Sequence, residues 1–570
     1  MNCAFGTLKK SYFKFSKKCD IIKIRKAGIK MKQDNIQAVN ISESIPNNKT
    51  PKKAILIIGI IIILALIVGL TVFAIIKNNQ NDDETVPIEK SEYWISDNSL
   101  EAFDLYFLQS ENGKQNKVYS PLSIKYALEM LKEGAKGDSK AQILSVIGTY
   151  EAKKYTDSKN MSFANALFIK DTYKKSIKRK YKNKLTDKYN AVVKTDSFAA
   201  PDTVNSWISD KTLGLINNLF DDVSQEEILL INALAIDMEW EEKFILSPSV
   251  GIWTEYYHEK FYWRGDWDVV PHSFKDINEE VSGMEIIASF NNYDIVKELG
   301  EENIRQTVTN AYMEYLKKYP YRKFGESLFL NSEIVGLSDD EIMEKYLDRY
   351  IKEINSNYKA EDKTTDFSLY IDDNVKVFAK DLKEYDGTTL QYVGIMPTAE
   401  ELDSYINKAT ADEISNIIGN LKELKAENFK DGVVTKITGF IPKFKFEYKL
   451  DLMKDLKNLG VTNVFESGKA NLTNISSDKS LYINDAIHKS NIEFTQEGIK
   501  ASAVTEAGGA GAAGGFDYIY DVPVEEIDLT FDKPYMFIIR DKNSGEIWFV
   551  GTVYNPLLYS EDTTKYVSDY

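Results

Sequence analysis

The sequence is poor in the residues that build covalent or metal-bound frameworks. Of its 570 residues two are cysteine, Cys3 and Cys19, and three are histidine, His258, His272 and His488. That excludes a disulfide scaffold and argues against a Cys/His zinc site or a c-type haem, so no metal and no cofactor is expected. Proline is scarce at 13 and glycine ordinary at 30, while 43% of residues are hydrophobic and 28% charged. A collagen-like or disordered chain is thereby excluded, and a full core is available. The net charge of −16 argues against a nucleic-acid partner.

Long hydrophobic runs are scarce too, and one stands out. Residues 54–76, AILIIGIIIILALIVGLTVFAII, are 23 uncharged residues, enough to cross a hydrocarbon core of ~30 Å. Lys52 and Lys53 before the run and Lys77 after it argue against a buried core helix, and no A-x-A site follows that would mark a cleaved signal peptide. Residues 1–53 net +10 and the remainder −26. The positive flank belongs inside, so a single-pass signal-anchor in the cell membrane is expected, N-terminus cytoplasmic and the rest extracellular. The lipid bilayer is then one partner. Both cysteines fall on the cytoplasmic side, and Met31 offers a second start that would leave none. Residues 77–92 are polar and acidic, a stalk.

Beyond the stalk, Ile124, Ala127, Leu128 and Leu131 form an i, i+3, i+4, i+7 stripe that predicts a helix, and Gly134 and Gly137 punctuate its end. Segment 202–220 reads as a further helix, 161–169 and 228–238 as strands, the second apolar enough for the middle of a sheet. Alternation at 390–396, 440–447, 481–494 and 535–554 predicts more strands, the last a hairpin turning at Asn543-Ser544-Gly545. These elements make an α+β fold. Residues 255–365 differ: they are rich in Tyr, Lys and Glu, with helical stripes at 301–319 and 339–354. The string Arg264-Gly265-Asp266 there is too short to carry an adhesion role and reads as a solvated turn.

The most unusual stretch is IEFTQEGIKASAVTEAGGAGAAGGFDYIY (492–520), with nine consecutive Gly/Ala residues at 507–515. Gly509, Gly511 and Gly514 satisfy G-x-G-x-x-G, but a dinucleotide site needs a helix next, and the alternating, Pro523-containing FDYIYDVPVEE follows. A flexible linker is the plainer reading. Against it stands parity. Ile499, Ala501, Ala503, Thr505 and Ala507 are apolar or small, whereas Lys500, Ser502, Val504 and Glu506 are mostly polar. Alternate strand residues face opposite sides, so this segment suits entry into a sheet over a packed core.

With that stretch in view, the chain resembles the serpin family over nearly all of 93–559 apart from 255–365. The matching blocks run in order: SPLSIKYALEMLKEGAKG (120–137), ANALFI (164–169), VNSWISDKTLGLINNLF (204–220), INALAIDMEWEEKF (231–244), FIPKFKFEYKLDLMKDLKNLGV (440–461), IHKSNIEFTQEGIKASAVT (487–505) and FDKPYMFIIRDKNSGEIWFVGTVYNP (531–556). The resemblance implies a serpin fold, three β-sheets with surrounding helices and an exposed reactive loop, here preceded by a single transmembrane helix. It implies no enzyme activity but suicide-substrate inhibition of a serine protease. The protease cuts the loop and is carried, covalently attached, as the loop inserts into the central sheet. Expected units are a basic segment 1–53, the span 54–76, the stalk 77–92, the domain 93–559 with its insertion, and a tail 560–570.

The resemblance assigns Ser120, Ser123, Asn232 and His488 to the cluster that controls opening of the central sheet, and Trp240 to the place where insertion begins. Gly498 starts the loop hinge, with Ile499, Ala501, Ala503 and Thr505 as inserting positions. Ile499 stands where the family has threonine; being apolar, it tolerates burial. The loop is about ten residues longer than the family pattern. Counting from the hinge puts the reactive bond at Ala512–Ala513, and counting back from FDKPY puts it near Val522–Pro523. The hinge count is preferred, because inserted length decides whether the protease is trapped; a cut at Tyr518 or Tyr520 would give substrate behaviour. Small residues around Ala512 suit an elastase-like or subtilisin-like serine protease, a cysteine protease being a lesser variant. Lys/Asn/Ile-rich usage and the absence of exterior disulfides suggest a bacterial surface. The alternative is a non-inhibitory binding protein that uses the 255–365 insertion.

Overall fold

The computed structural model describes residues 88–111, 113–155, 158–244, 269–319, 331–357, 362–363, 366–499 and 522–563. The expected membrane span, the Arg264-Gly265-Asp266 string, Ala501, Ala503, Thr505 and the bond Ala512–Ala513 lie outside them. Among the described residues no helix is long and apolar enough to cross a membrane.

Helix α1 (Ala102–Ser110) and strand β1 (Lys117–Tyr119) lead into α2 (Pro121–Gly134). The Ser120 side chain caps α2 by accepting from the Ser123 amide, and Pro121 fits the first turn, where no amide is required. Gly134, the last residue of α2, packs so closely on Ile475 that a Cβ there would meet it at 2.4 Å. Next come α3 (Gly137–Ile147), β2 (Met161–Lys170), α4 (Arg179–Tyr189), β3 (Val192–Asp196) and α5 (Asp202–Lys211). Helix α5 stops well short of the expected 220. Leu213 and Gly214 take left-handed φ of 56° and 73°, and the Asn205 carboxamide binds the backbone of Leu219 and Phe220 instead.

Strands β4 (Ile228–Ile236), β5 (Met238–Glu239), β6 (Val269–His272) and β7 (Val281–Asn291) follow. Helices α6 (Ile295–Leu299), α7 (Glu301–Lys318), α8 (Asn331–Ile334) and α9 (Asp339–Asn357) come next, then β8 (Asp362–Lys363), β9 (Ser368–Ile371), β10 (Val375–Asp381) and β11 (Leu390–Pro397). After α10 (Leu402–Lys408), α11 (Ala411–Gly419) and β12 (Lys422–Glu423), the chain enters β13 (Val434–Pro442) and β14 (Phe444–Asp451). The single strand expected over 440–447 is thus two strands in different sheets. They are divided at Lys443, whose ammonium is buried 2.8 Å from Asp562. Helix α12 (Leu452–Asn458), β15 (Ile487–Phe494), β16 (Gly498–Ile499), β17 (Val524–Asp528), β18 (Tyr535–Asp541) and β19 (Ile547–Val553) complete the order.

Strands β1-β19-β18-β11-β10-β9-β12 form a seven-stranded antiparallel sheet in which β11 and β19 are completely buried and β18 is buried except at Arg540. Strands β17-β13-β7-β6 form a second sheet, with β8 on β7. The segment read as one insertion, 255–365, is therefore divided. Strands β6 and β7 belong to this sheet, β7 pairing with β13 from Asn291 to Gly283, and only α6 to α9 form a separate helical unit. The reason is visible in β7, whose apolar residues are buried on the main core while the stripes of α7 and α9 face each other. Asp562, in the expected tail, is 3% exposed, so the fold extends past 559.

The remaining strands form two ladders, β3-β2-β4 and β14-β15-β16-β5. Since β5 continues β4 after Asp237, the two are halves of one central sheet, joined through the two-residue strand β16 at one end. Among the described residues no ladder joins β4 to β15.

Candidate functional site: a seam in the central sheet

The seam between β4 and β15 carries cavities of about 200, 30 and 50 Å³, each lined from both strands. The largest lies between Ile236 and Asn491, Ile492 and Glu493, capped by Ile499. A segment after α5 crosses over it. Asn491 and Lys489 of β15 donate to the Leu215 and Asn218 carbonyls at 3.1 and 3.3 Å. Side chains of β15 therefore spend hydrogen bonds on the crossing segment, while its backbone edge toward β4 has no strand partner among the described residues.

At the closed end, Gly498 pairs with Glu239 and Ile499 with Met238 and Phe494. A side chain at position 498 would put Cβ 2.2 Å from the Met238 carbonyl oxygen, so the strands approach this closely because the residue is glycine. Ile499 is 1% exposed. Trp240 is completely buried beside it; its indole N–H donates to the Thr495 carbonyl at 2.9 Å and its amide to the Glu497 carbonyl at 3.0 Å. The ring meets Phe494 edge-on at 5.3 Å. The Glu497 carboxylate is buried against Lys243, and Glu239 pairs with Lys383, which together hold the turn entering β16.

At the other end, the His488 Nε2 accepts from the Ser120 amide at 2.9 Å, with Ser490 Oγ also at 2.9 Å. Burial pushes the imidazole down to about 4, so it is neutral near pH 7. Ser123 and Asn232 line the same 50 Å³ cavity as His488. Asn232 donates to Asn165, its register partner on β2, while Asn232 Oδ1 and Ser123 Oγ have no hydrogen-bond partner among the described residues.

The structure brings Ser120, Ser123, Asn232 and His488 together and puts Trp240 with Gly498 and Ile499 at the opposite end. Sequence reasoning missed Asn165, Ser490, and the ion pair of Glu497 with Lys243. Ser490 was readable as the next residue on the face of His488; the ion pair depends on a turn that spacing does not reveal.

The model of the serpin (serine protease inhibitor) family matches residues 97–249 and 360–556, more than half of the chain. The chain belongs to the serpin family. Leukocyte elastase inhibitor of Bos taurus is 24% identical over 481 residues, covering 80% of this serpin and 98% of that protein. Among solved structures, the thermophilic serpin tengpin in its native state aligns with a TM-score of 0.52 at 19% identity, over 82% of this chain and 97% of that one. Human thyroxine-binding globulin aligns at 0.53 with 17% identity, over 80% and 96%. These two likenesses establish the serpin fold, a fold shared with protease inhibitors, and the unmatched stretch 250–359 of this serpin holds α6 to α9.

Proposed function

We propose that this serpin is an irreversible suicide-substrate inhibitor of an elastase-like or subtilisin-like serine protease, anchored in a membrane by residues 54–76 with its inhibitory domain outside. The observation that carries the reading is the seam: among the described residues β4 and β15 share no ladder, and the stem of the loop already occupies one end as β16. A strand continuing from Ile499 would pair with both neighbours along their length. The alternation of small and polar residues from 499 to 507 suits such a strand.

The chemistry belongs to the protease. Its serine hydroxyl attacks the Ala512 carbonyl, the bond to the Ala513 nitrogen breaks, and an ester to Ala512 forms while the new amine takes up a proton. Hydrolysis of that ester competes with insertion of residues 499–512 into the seam. Insertion wins when the hinge enters without burying a charge, and the tethered protease is then displaced and distorted. Trapping is kinetic, driven by folding energy held back in the unfilled sheet. Ser120, Ser123, Asn232 and His488 would govern how the seam opens, and Trp240 the docking of the hinge. The name of the bovine relative, an elastase inhibitor, supports the small-residue pocket.

The test is to incubate the full chain, in detergent or in bilayer discs, with an elastase-like and a subtilisin-like protease. An adduct that survives denaturation, with the new N-terminus at Ala513, is expected. Cleavage without an adduct across a broad panel of serine and cysteine proteases would refute the inhibitory reading.

A further inference from the structure

We infer that the helical unit α6 to α9 is an internal clasp on the C-terminal stem of the reactive loop, with Val522 as its latch. Strand β17 needs one. It is an edge strand, held through a parallel ladder to β13 from Val524 to Asp528, and none of its own side chains is buried; Val524 is 40% exposed. Edge strands with exposed side chains open readily. At its far end Leu529 and Phe531 are completely buried in the main core. At its near end, where the loop pulls, the anchor is Val522, 6% exposed, whose backbone neighbour Pro523 accepts from the Val434 amide at 2.9 Å.

Val522 and Val434 are buried not in the main core but in the separate apolar cluster of the helical unit, with Ile295, Tyr312, Tyr346 and Leu347. That unit is itself well tied. Tyr312 of α7 and Tyr346 of α9 pack with ring centroids 5.8 Å apart, and Arg305 of α7 bonds Glu344 of α9 at 3.2 Å. It also sits where a clasp must: α6 leaves β7 just after Asn291, the register partner of Val434, and Val434 is the partner of Val524. The Asn292 carboxamide fixes this corner by donating to the Ala426 carbonyl at 2.8 Å.

Two consequences follow, and both rest on the inhibitory reading. An uncut loop can enter the seam along its whole length only if β17 lets go of β13, so a clasp at Val522 opposes self-inactivation. Pro523 is exposed, but cleavage at Val522–Pro523 would have to draw the buried Val522 side chain out of the helical unit, which weighs against the second of the two counts for the reactive bond.

The clasp is tested by amide hydrogen exchange in the full chain, a readout that stands whether or not the protein inhibits anything. Val522→Ala removes two buried methyl groups and is expected to speed exchange of the 524–528 amides about tenfold. Leu347→Ala, within the helices and remote in sequence, should speed the same amides, whereas Val524→Ala, at an exposed site, should not. Unchanged exchange in β10 and β11 shows that the fold has survived in each variant. If β17 keeps its protection in Val522→Ala and in Leu347→Ala, the helices do not hold the loop stem and the inference fails.

Discussion

Ile499→Asp is the perturbation that most directly tests whether strand insertion begins at the hinge. Ile499 is 1% exposed, lies between Met238 and Phe494 in the ladder, and joins the cluster that contains Trp240. Losing its burial costs about 1.5–3 kcal/mol. The carboxylate would enter a buried site beside a cavity whose cationic lining residue, Lys445, is already paired with Glu493 at 3.1 Å. An uncompensated buried charge adds on the order of 3–5 kcal/mol. Because Ile499 is already buried in the uncut protein, a combined cost of about 5 kcal/mol or more first expels β16 from the sheet; insertion must then bury the carboxylate again and is slowed by more than about a thousandfold. Hydrolysis of the acyl-enzyme should then win. Denaturing gels with excess protease are expected to show a chain cut at Ala512–Ala513 and no adduct, whereas Ile499→Val should form adduct at the wild-type stoichiometry. Adduct formation by Ile499→Asp at that same stoichiometry would refute the reasoning, because insertion would then not require this side chain to be buried.

The remaining predictions concern the closed end, the buried charges and the tail. Gly498→Ala places Cβ 2.2 Å from the Met238 carbonyl oxygen, with no flexible side chain to yield; β16 should leave the sheet, seen as faster exchange of the Ile499 amide. Burial raises the Glu546 carboxyl to about 7 against the opposing pull of Lys125, so its contribution to stability is complete below about pH 4.5 and lost as pH rises to about 7. His488, lowered to about 4, contributes in the opposite sense: its stability is present above pH 6.5 and lost as pH falls to about 4. Each amounts to roughly 3 kcal/mol, and Glu226 and Asp455 are raised in the same sense as Glu546, to about 7 and about 6. Glu546→Gln should therefore lose thermal stability relative to the wild type as pH falls from about 7 to about 4.5, and a profile parallel to the wild type would contradict this. Asp562→Ala leaves the Lys443 ammonium buried without its carboxylate at 2.8 Å and should cost on the order of 3–5 kcal/mol in denaturant unfolding.

Much of the fold was legible in local pattern. The stripe Ile124, Ala127, Leu128 and Leu131 gave α2, alternation gave the β18–β19 hairpin, and the stripes at 301–319 and 339–354 gave α7 and α9, because each reports which face of its own element meets a core. Errors fell where a distant contact overrides the local signal. The alternating segment 440–447 is divided at Lys443, which pairs with a carboxylate over a hundred residues away, and 212–220 is drawn out of the helix by Asn205. Strands β6 and β7 were read as insertion because sheet membership is a property of pairing with β13, and spacing along one strand does not identify its partner.

The sequence alone carries seven blocks in fixed order that resemble the serpin family, the membrane-length apolar run, a shortage of cysteine and histidine, and the parity of the loop that suits it to a sheet. Only the tertiary structure decided that no ladder joins β4 to β15 among the described residues, that Ser120 and His488 meet across 368 positions, and that Val522 is buried under the inserted helices. The division has a physical cause. Helix and strand periodicity are written every two to four residues, whereas a seam, a shared cavity or a latch exists only between segments that are brought together by packing.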